Sequence, residues 1–293
     1  MLLLTGATGL VGSTLLRRLL AEGTQVRCLV RDPRRLGAQR VRVQIALGDL
    51  TDPPSFRNAL RGVDTVIHLA AAIRDQPHGS IEELNGIATW RMVEAAQRQG
   101  VERFVFFSAL GASTHNRTRL LRAKALAEQA VHEAALESTV FAPSIVYAPG
   151  DPWLTLLERM ALLPVMPVSG SGKALFQPIW AEDVADCVVA SLHDSTAGPK
   201  RRYELAGPET LSHEQMVRTV LRATGRGRPL VKIPTPLVSR TLRMLETAMG
   251  PQAFATWDEA ELMEVSMTSE RGTADMLSLG VEPQTMAAVL GTR

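Results

Sequence analysis

Residues 1–12 read Met1-Leu2-Leu3-Leu4-Thr5-Gly6-Ala7-Thr8-Gly9-Leu10-Val11-Gly12. A bare apolar run runs straight into a glycine-rich turn. Beyond it Val11, Leu15, Leu16, Leu19 and Leu20 share one face of a predicted helix that ends at Gly23, and a second strand, Gln25 to Val30, follows at once. Strand, glycine turn, helix is an order in which glycines allow a tight bend and a phosphate can approach backbone N–H groups at the helix N-terminus. Glycine spacing alone is common, and a plain βα turn would share it; the flanking strand and helix are what give it meaning. The expectation is a dinucleotide site on Gly6, Thr8, Gly9, Leu10, Val11 and Gly12.

The tip of the second strand bears on which dinucleotide. Val26 to Val30 leads into Arg31-Asp32-Pro33-Arg34-Arg35. An acid at this tip suits a free ribose 2′-hydroxyl, and an arginine suits a 2′-phosphate. Arg31 comes first, and residues 1–44 carry eight arginines against Glu22 and Asp32 alone, in a chain whose overall net charge is only +2. Positive charge is thus gathered on the part that would meet phosphates. Arg31 and Arg34 are expected to hold NADP(H), with NAD(H) the alternative and a solvated basic loop the bland reading.

With 293 residues, 45% of them hydrophobic, the chain can bury a substantial core. The small net charge and the absence of a basic stripe interleaved with aromatics argue against nucleic acid. Cys28 and Cys187 fit no ligand spacing, so no metal is expected; they read as small buried hydrophobes in a reducing compartment. No charged n-region precedes an apolar one, and no run approaches a membrane span, so the expected address is the cytoplasm. The expected partner is a small-molecule substrate or another protein, with oligomeric state open.

Strand and helix patterns alternate through the first half. Strands are expected at Val41–Leu47, Thr65–Ala70, Phe104–Ser108 and Ser138–Ala142, and helices around Phe56–Leu60, Leu84–Ala96 and Leu120–Ala135. Strands apolar on both faces, alternating with helices, predict an α/β fold with a doubly wound parallel sheet. After Pro149-Gly150-Asp151-Pro152 prolines, methionines and short apolar runs take over. Residues 1–150 are read as the dinucleotide-binding domain and 151–293 as a smaller C-terminal cap. The two are interleaved: about 174–206 return to the first part, with Pro178-Ile179-Trp180 as a strand end re-entering the main sheet. Gly170-Ser171-Gly172-Lys173 is not a phosphate loop, because Pro167 and Ala174 replace its required glycine and hydroxyl residue.

Taken together, Thr5 to Gly12, Gly48-Asp49-Leu50, His68-Leu69-Ala70-Ala71, Ser108, Lys124, Ala142 to Tyr147 and Pro178 to Trp180 with Asp183-Val184 resemble the extended and atypical short-chain dehydrogenase/reductase superfamily. The match is spread over about the first 210 residues. It is most similar to the atypical branch that holds the dehydrogenase-like accessory subunit of respiratory complex I and related bacterial reductases. The resemblance implies a Rossmann fold. It also implies that Asp49 and Leu50 border the adenine, Ala70 and Ala71 the cofactor ribose, and Pro143 and Ile145 the nicotinamide. Each has a plainer reading as a turn residue or strand end.

One departure outweighs these agreements. The superfamily pairs a tyrosine with a lysine four residues later, whose charge lowers the phenol pKa for proton relay. Here Tyr147 is followed four places on by Asp151 and Tyr203 by Gly207, while Lys124 is preceded by Leu120. Leucine moves no proton. Lys124 either binds the cofactor ribose or serves as the acid itself, Ser108 holds the substrate oxygen at the cofactor site, and the loop histidine His115 is a spare catalytic candidate; in the plainer readings Lys124 is an exposed helical lysine paired with Glu128 and Ser108 a strand-end hydroxyl bonded to backbone. Three functions are compatible. One is a reductase of a small apolar carbonyl, enone or quinone-like substrate. Another is a non-catalytic NADPH-binding sensor or accessory module. The third, a sugar-nucleotide epimerase or dehydratase, suffers most from the missing tyrosine. In the cap, Leu237, Val238, Leu242, Leu245, Ala248 and Met249 form an apolar stripe in a methionine-rich tail, read first as core and second as an apolar pocket or partner groove.

Overall fold

The computed structural model describes residues 1–194, 200–249 and 256–291, with side chains of 245–249 left aside. The first half alternates as its pattern requires: β1 (Leu2–Thr5), α1 (Leu10–Ala21), β2 (Val26–Val30), β3 (Gln44–Leu47), α2 (Pro53–Phe56), β4 (Thr65–His68), α3 (Ala88–Arg98), β5 (Arg103–Phe107), α4 (Arg119–Glu133) and β6 (Glu137–Pro143). Then follow β7 (Val146–Tyr147), α5 (Pro152–Met160), β8 (Met166–Ser169), β9 (Leu175–Phe176), β10 (Ile179–Trp180), α6 (Ala181–His193) and β11 (Lys200–Leu205). The remainder holds β12 (Leu211–Ser212), α7 (His213–Ala223), β13 (Leu230–Ile233), α8 (Thr235–Met249), α9 (Trp257–Leu262), α10 (Ala274–Ser278) and α11 (Met286–Val289).

Seven strands form one parallel sheet in the order β11-β6-β5-β4-β1-β2-β3. The pleat explains why the inner strands β1, β2, β4 and β5 are buried nearly throughout: successive side chains point to opposite faces, and both faces are covered there. Leu2, Leu4, Val105 and Phe107 pack on one side with Leu15, Leu16 and Leu19 of α1 and Val184 and Val188 of α6. Leu3, Phe104 and Phe106 pack on the other with Met92, Val93 and Ala96 of α3 and Ala127 and Val131 of α4. Burying each such large apolar side chain contributes about 1.5–3 kcal/mol. A third cluster gathers Tyr147, Phe176, Met216 and Met267 from the second half of the chain.

Two expectations are corrected. The third strand begins at Gln44, because Val41 ends a 3₁₀ stretch and is 82% exposed. The neighbouring Arg42 guanidinium donates to the Leu20 carbonyl at 3.0 Å, which ties this approach to the end of α1. The Ile179–Trp180 strand does not enter the main sheet; it pairs with β7. The seventh strand is β11, parallel to β6 from Lys200↔Ser138 to Leu205↔Pro143. Its charged start, Lys200-Arg201-Arg202, hides the strand from apolar patterning. Of the methionine-rich tail, Met267, Met276 and Met286 are core, whereas Leu237 and Met244 are exposed. Leu242 is buried; Leu245, Ala248 and Met249 lie outside the described side chains.

Candidate functional site

The carboxyl ends of β1, β4, β5 and β6 place Gly6, Ala70, Ser108 and Pro143 along one edge of the sheet. Gly6 has φ +72°, and a Cβ on it would lie 2.6 Å from the Ala70 nitrogen. A Cβ on Gly12 would lie 2.0 Å from the Gly6 carbonyl oxygen, so α1 approaches the turn more closely than any side chain permits. The Gly9 N–H donates to that same carbonyl at 2.9 Å. Gly9 caps α1 without a side-chain acceptor, so the first-turn N–H groups of Leu10, Val11 and Gly12 meet no side chain of their own cap. A cradle that a single methyl would fill, with donors aimed outward, fits a pyrophosphate.

Of the two candidates at the β2 tip, Asp32 is already engaged. It caps the 3₁₀ turn, accepting from the Arg34 backbone N–H at 2.9 Å and from its Nε at 3.2 Å. Those bonds hold its carboxyl below the usual range. Arg34 is thereby drawn onto Asp32, whereas Arg31 is exposed and has no hydrogen bond or ion pair among the described residues. Asp49 accepts from Thr51 N and Oγ1, both at 2.9 Å. Burial raises its pKa, but these bonds and the charges of Arg31 and His78 outweigh it and keep the group low. Leu50, beside it, is half-buried.

Behind Ala70 and Ala71 runs a buried hydrogen-bonded chain that sequence reading did not single out. The Ala70 N–H donates to Thr5 Oγ1 at 3.3 Å, and Thr5 Oγ1 meets His68 Nδ1 at 2.9 Å. His68 Nε2 meets Thr89 Oγ1 at 3.1 Å, and that hydroxyl donates to the Asn85 carbonyl at 2.7 Å. Asn85 closes the chain, its amide donating to the Ala72 carbonyl and accepting from the Ala72 N–H. Thr89 gives its one proton to Asn85, so it must accept from His68; His68 therefore carries its proton on Nε2, and Nδ1 accepts from Thr5. The π turn at Glu83–Ile87 is what brings Asn85 to Ala72. His68 sat inside a noted motif, but its partners lie 63 and 21 residues away, beyond any local spacing.

Burial, and next the charge of Lys124, lowers the His68 pKa from 6.5 to about 3. The folded protein thus holds a neutral imidazole that the unfolded chain would protonate. The associated stability is complete above about pH 6.5 and is lost as pH falls toward 3. A Tm profile for wild type should decline across that window, and His68→Gln, which keeps a donor and an acceptor but cannot titrate, should decline less. Parallel profiles would remove His68 as the cause.

Ser108 and Lys124 are both buried, each 5% exposed. The Lys124 ammonium donates to the Phe107 carbonyl at 2.6 Å and stands 5.0 Å from the Phe106 ring centroid. Burial brings its pKa down to about 8, against the charge of Glu128, which raises it. The exposed Lys124–Glu128 pair of the plainer reading is not formed; Glu128 is bound by Arg202 at 3.3 Å. The Ser108 hydroxyl is buried without a hydrogen-bond partner. His115 is exposed, with Nδ1 3.2 Å from its neighbour Thr114, and is not gathered with these two. Leu120 is half-buried in the first turn of α4. Pro143 is buried and Ile145 half-buried; between them Ser144 donates to the Met267 carbonyl at 2.7 Å, tying this strand end to the C-terminal part of the chain.

Arginines flank the mouth. Arg119, next to Leu120, reaches Asp75 at 3.0 Å, Glu82 at 2.7 Å and Asp258 of α9 at 3.5 Å. Its hydrogen bond holds the Glu82 carboxyl down to about 2. Arg74 binds Glu259 of α9 at 2.6 Å. The loop after β4, the start of α4 and the helix α9 are therefore joined by charge.

A family profile described as NAD(P)H-binding matches residues 6–195. The chain is 30% identical to the NADH dehydrogenase 1 alpha subcomplex subunit 9 of Arabidopsis thaliana over 79% of its own length and 60% of that protein's. It is 33% identical to the photosystem II assembly factor Ycf39 of Cyanophora paradoxa, covering 87% of this chain and 76% of that one. Among solved structures, a nucleoside-diphosphate-sugar epimerase of Staphylococcus aureus superposes with a TM-score of 0.80 over 99% of both chains at 18% identity, a likeness of fold.

Proposed function

The chain belongs to the NAD(P)H-binding family, and on that premise we propose that it is an NADP(H)-dependent reductase of an apolar carbonyl, enone or quinone-like substrate, working without the usual tyrosine. The observation that carries this reading is the buried pair at the end of β5. An orphaned Ser108 hydroxyl lies at the strand end whose Phe107 carbonyl receives a buried lysine with a pKa near 8. Leaving a buried hydroxyl unpaired costs about 1–3 kcal/mol, which a bound oxygen atom would recover.

In this reading Gly6, Thr8, Gly9, Leu10, Val11 and Gly12 cradle the pyrophosphate, Arg31 meets the 2′-phosphate together with the Arg34 Nη groups, which Asp32 leaves unbound because it takes only Nε, and Asp49 and Leu50 border the adenine. Ala70, Ala71 and Lys124 hold the ribose; Pro143 and Ile145 flank the nicotinamide. When bound, the reduced cofactor supplies a hydride. Ser108 donates to the substrate oxygen, and Lys124 supplies the proton that neutralises it, leaving an amine that water recharges. A missing phenol acid costs about 10²–10⁴-fold, so substrates that need little protonation, such as quinones and activated enones, are favoured over ordinary ketones. The buried free thiols Cys28 and Cys187 suit a reducing compartment such as the cytoplasm.

Leu120 supports a second reading, a binding module that holds NADPH and docks on a partner protein, as the names of the Arabidopsis and Cyanophora relatives suggest. Following NADPH fluorescence against a panel of quinones, enones and ketones separates the two. Turnover selects the reductase; tight binding without turnover on any of them selects the module.

Arg31→Ala should weaken NADPH roughly ten- to a hundredfold and NADH little, because one charge-assisted bond to the 2′-phosphate contributes about 1.5–3 kcal/mol. Titrating both proteins with both cofactors measures this. Equal wild-type affinities for NADPH and NADH would return the ribose to Asp32.

A further inference from the structure

We propose that the cap docks peripherally on an anionic lipid surface, through the loop between α5 and β8 and the arginine-bearing turn beside it. Leu162, Leu163 and Val165 are 62%, 48% and 40% exposed, and Pro164 between them is exposed as well. An uninterrupted apolar run facing water is not core. The register between β8 and β13 sets its neighbours: Met166 N–H donates to the Pro229 carbonyl at 2.9 Å, and Arg228 Nε donates to the Ala161 carbonyl at 3.1 Å. These bonds lay the loop against the turn at 224–229 and the exposed Val231.

The charge around this loop is predominantly positive. Residues 159–181 and 215–245 contain nine lysines or arginines and no aspartate or glutamate. Glu214 engages Arg218 and Lys232 from that set. Arg222 donates only to Thr219 Oγ1, and neither it nor Arg226 nor Arg228 has an ion pair among the described residues. Glu158, one turn back on α5, is the nearest acid in sequence.

Exposed aliphatics beside a turn whose arginines form no ion pair among the described residues suit a partner offering both apolar depth and negative charge. Peripheral membrane attachment rests on that pair of signals, since neither is sufficient alone. A protein interface is expected to present aromatic anchors, and residues 161–165 and 222–233 contain none. No helix among the described residues is long and apolar enough to cross a membrane, so the attachment is to the surface.

Sedimentation of the full chain with vesicles tests this. It should bind vesicles of phosphatidylcholine with phosphatidylglycerol, bind phosphatidylcholine alone far less, and come off in about 1 M salt, where the Debye length falls to about 3 Å. Leu162→Ser with Leu163→Ser should lower vesicle affinity about tenfold or more. Arg222→Gln with Arg226→Gln should lower it roughly fivefold per charge. These side chains lie outside the dinucleotide site, so both variants should retain wild-type Tm and NADPH affinity, which guards against a folding defect. No binding to anionic vesicles, or binding that neither variant weakens, overturns the proposal. Concentration-dependent dimerisation lost with Leu162 and Leu163, without vesicle binding, would assign the face to a second copy instead.

Discussion

Gly12→Ala is expected to abolish cofactor binding and weaken the fold at the same time. The added methyl would sit 2.0 Å from the Gly6 carbonyl oxygen and 2.8 Å from its carbon. Both are backbone atoms, so no side chain can swing aside. Either α1 withdraws from the sheet, loosening Leu15, Leu16 and Leu19, or the Gly6 turn opens and the donors at Leu10 and Val11 lose their aim. Overpacking of this kind costs about 3 kcal/mol. Losing two charge-assisted bonds to phosphate costs about a hundredfold or more in affinity. Calorimetric titration with NADPH and thermal melts measure the two effects separately. Wild-type affinity in Gly12→Ala would mean that the glycine turn does not hold the pyrophosphate.

Lys124 and Leu120 carry the second large effect. If Lys124 is the acid, Lys124→Met should eliminate reduction while NADPH affinity falls less than the rate. The wild-type rate should also fall about tenfold per pH unit as pH rises through about 8, because the ammonium that donates the proton is present below that pKa and lost above it. If Lys124 only grips the ribose, affinity falls first and the rate shows no break near pH 8. Leu120→Tyr is the reverse experiment. It places a phenol one helical turn before Lys124 and should raise ketone turnover by about 10²-fold or more. NADPH bound tightly by both proteins, with turnover in neither, would make the chain a binding module.

What the amino-acid order determined by itself is whatever depends on near neighbours. The strand, turn and helix of residues 2–21 are legible because hydrophobic period and glycine spacing act over a few residues. So is the absence of a tyrosine before Lys124, since a dyad on one helix is a local fact. The parallel alternating sheet follows from strands apolar on both faces. Tertiary structure decided everything that needed the chain to return on itself. Lys124 could have been a solvated partner of Glu128 until the end of β5 received its ammonium and β11 brought Arg202 to Glu128. The bracing of Ala70 by Thr5, His68, Thr89 and Asn85 joins β1, β4, α3 and the π turn before it, and no spacing announces it. β11 was missed because an edge strand with a charged start carries no apolar signature. The physical reason is common to all three: local pattern reports a residue's intrinsic preference, whereas burial and hydrogen-bond partners depend on which distant segments come to cover it.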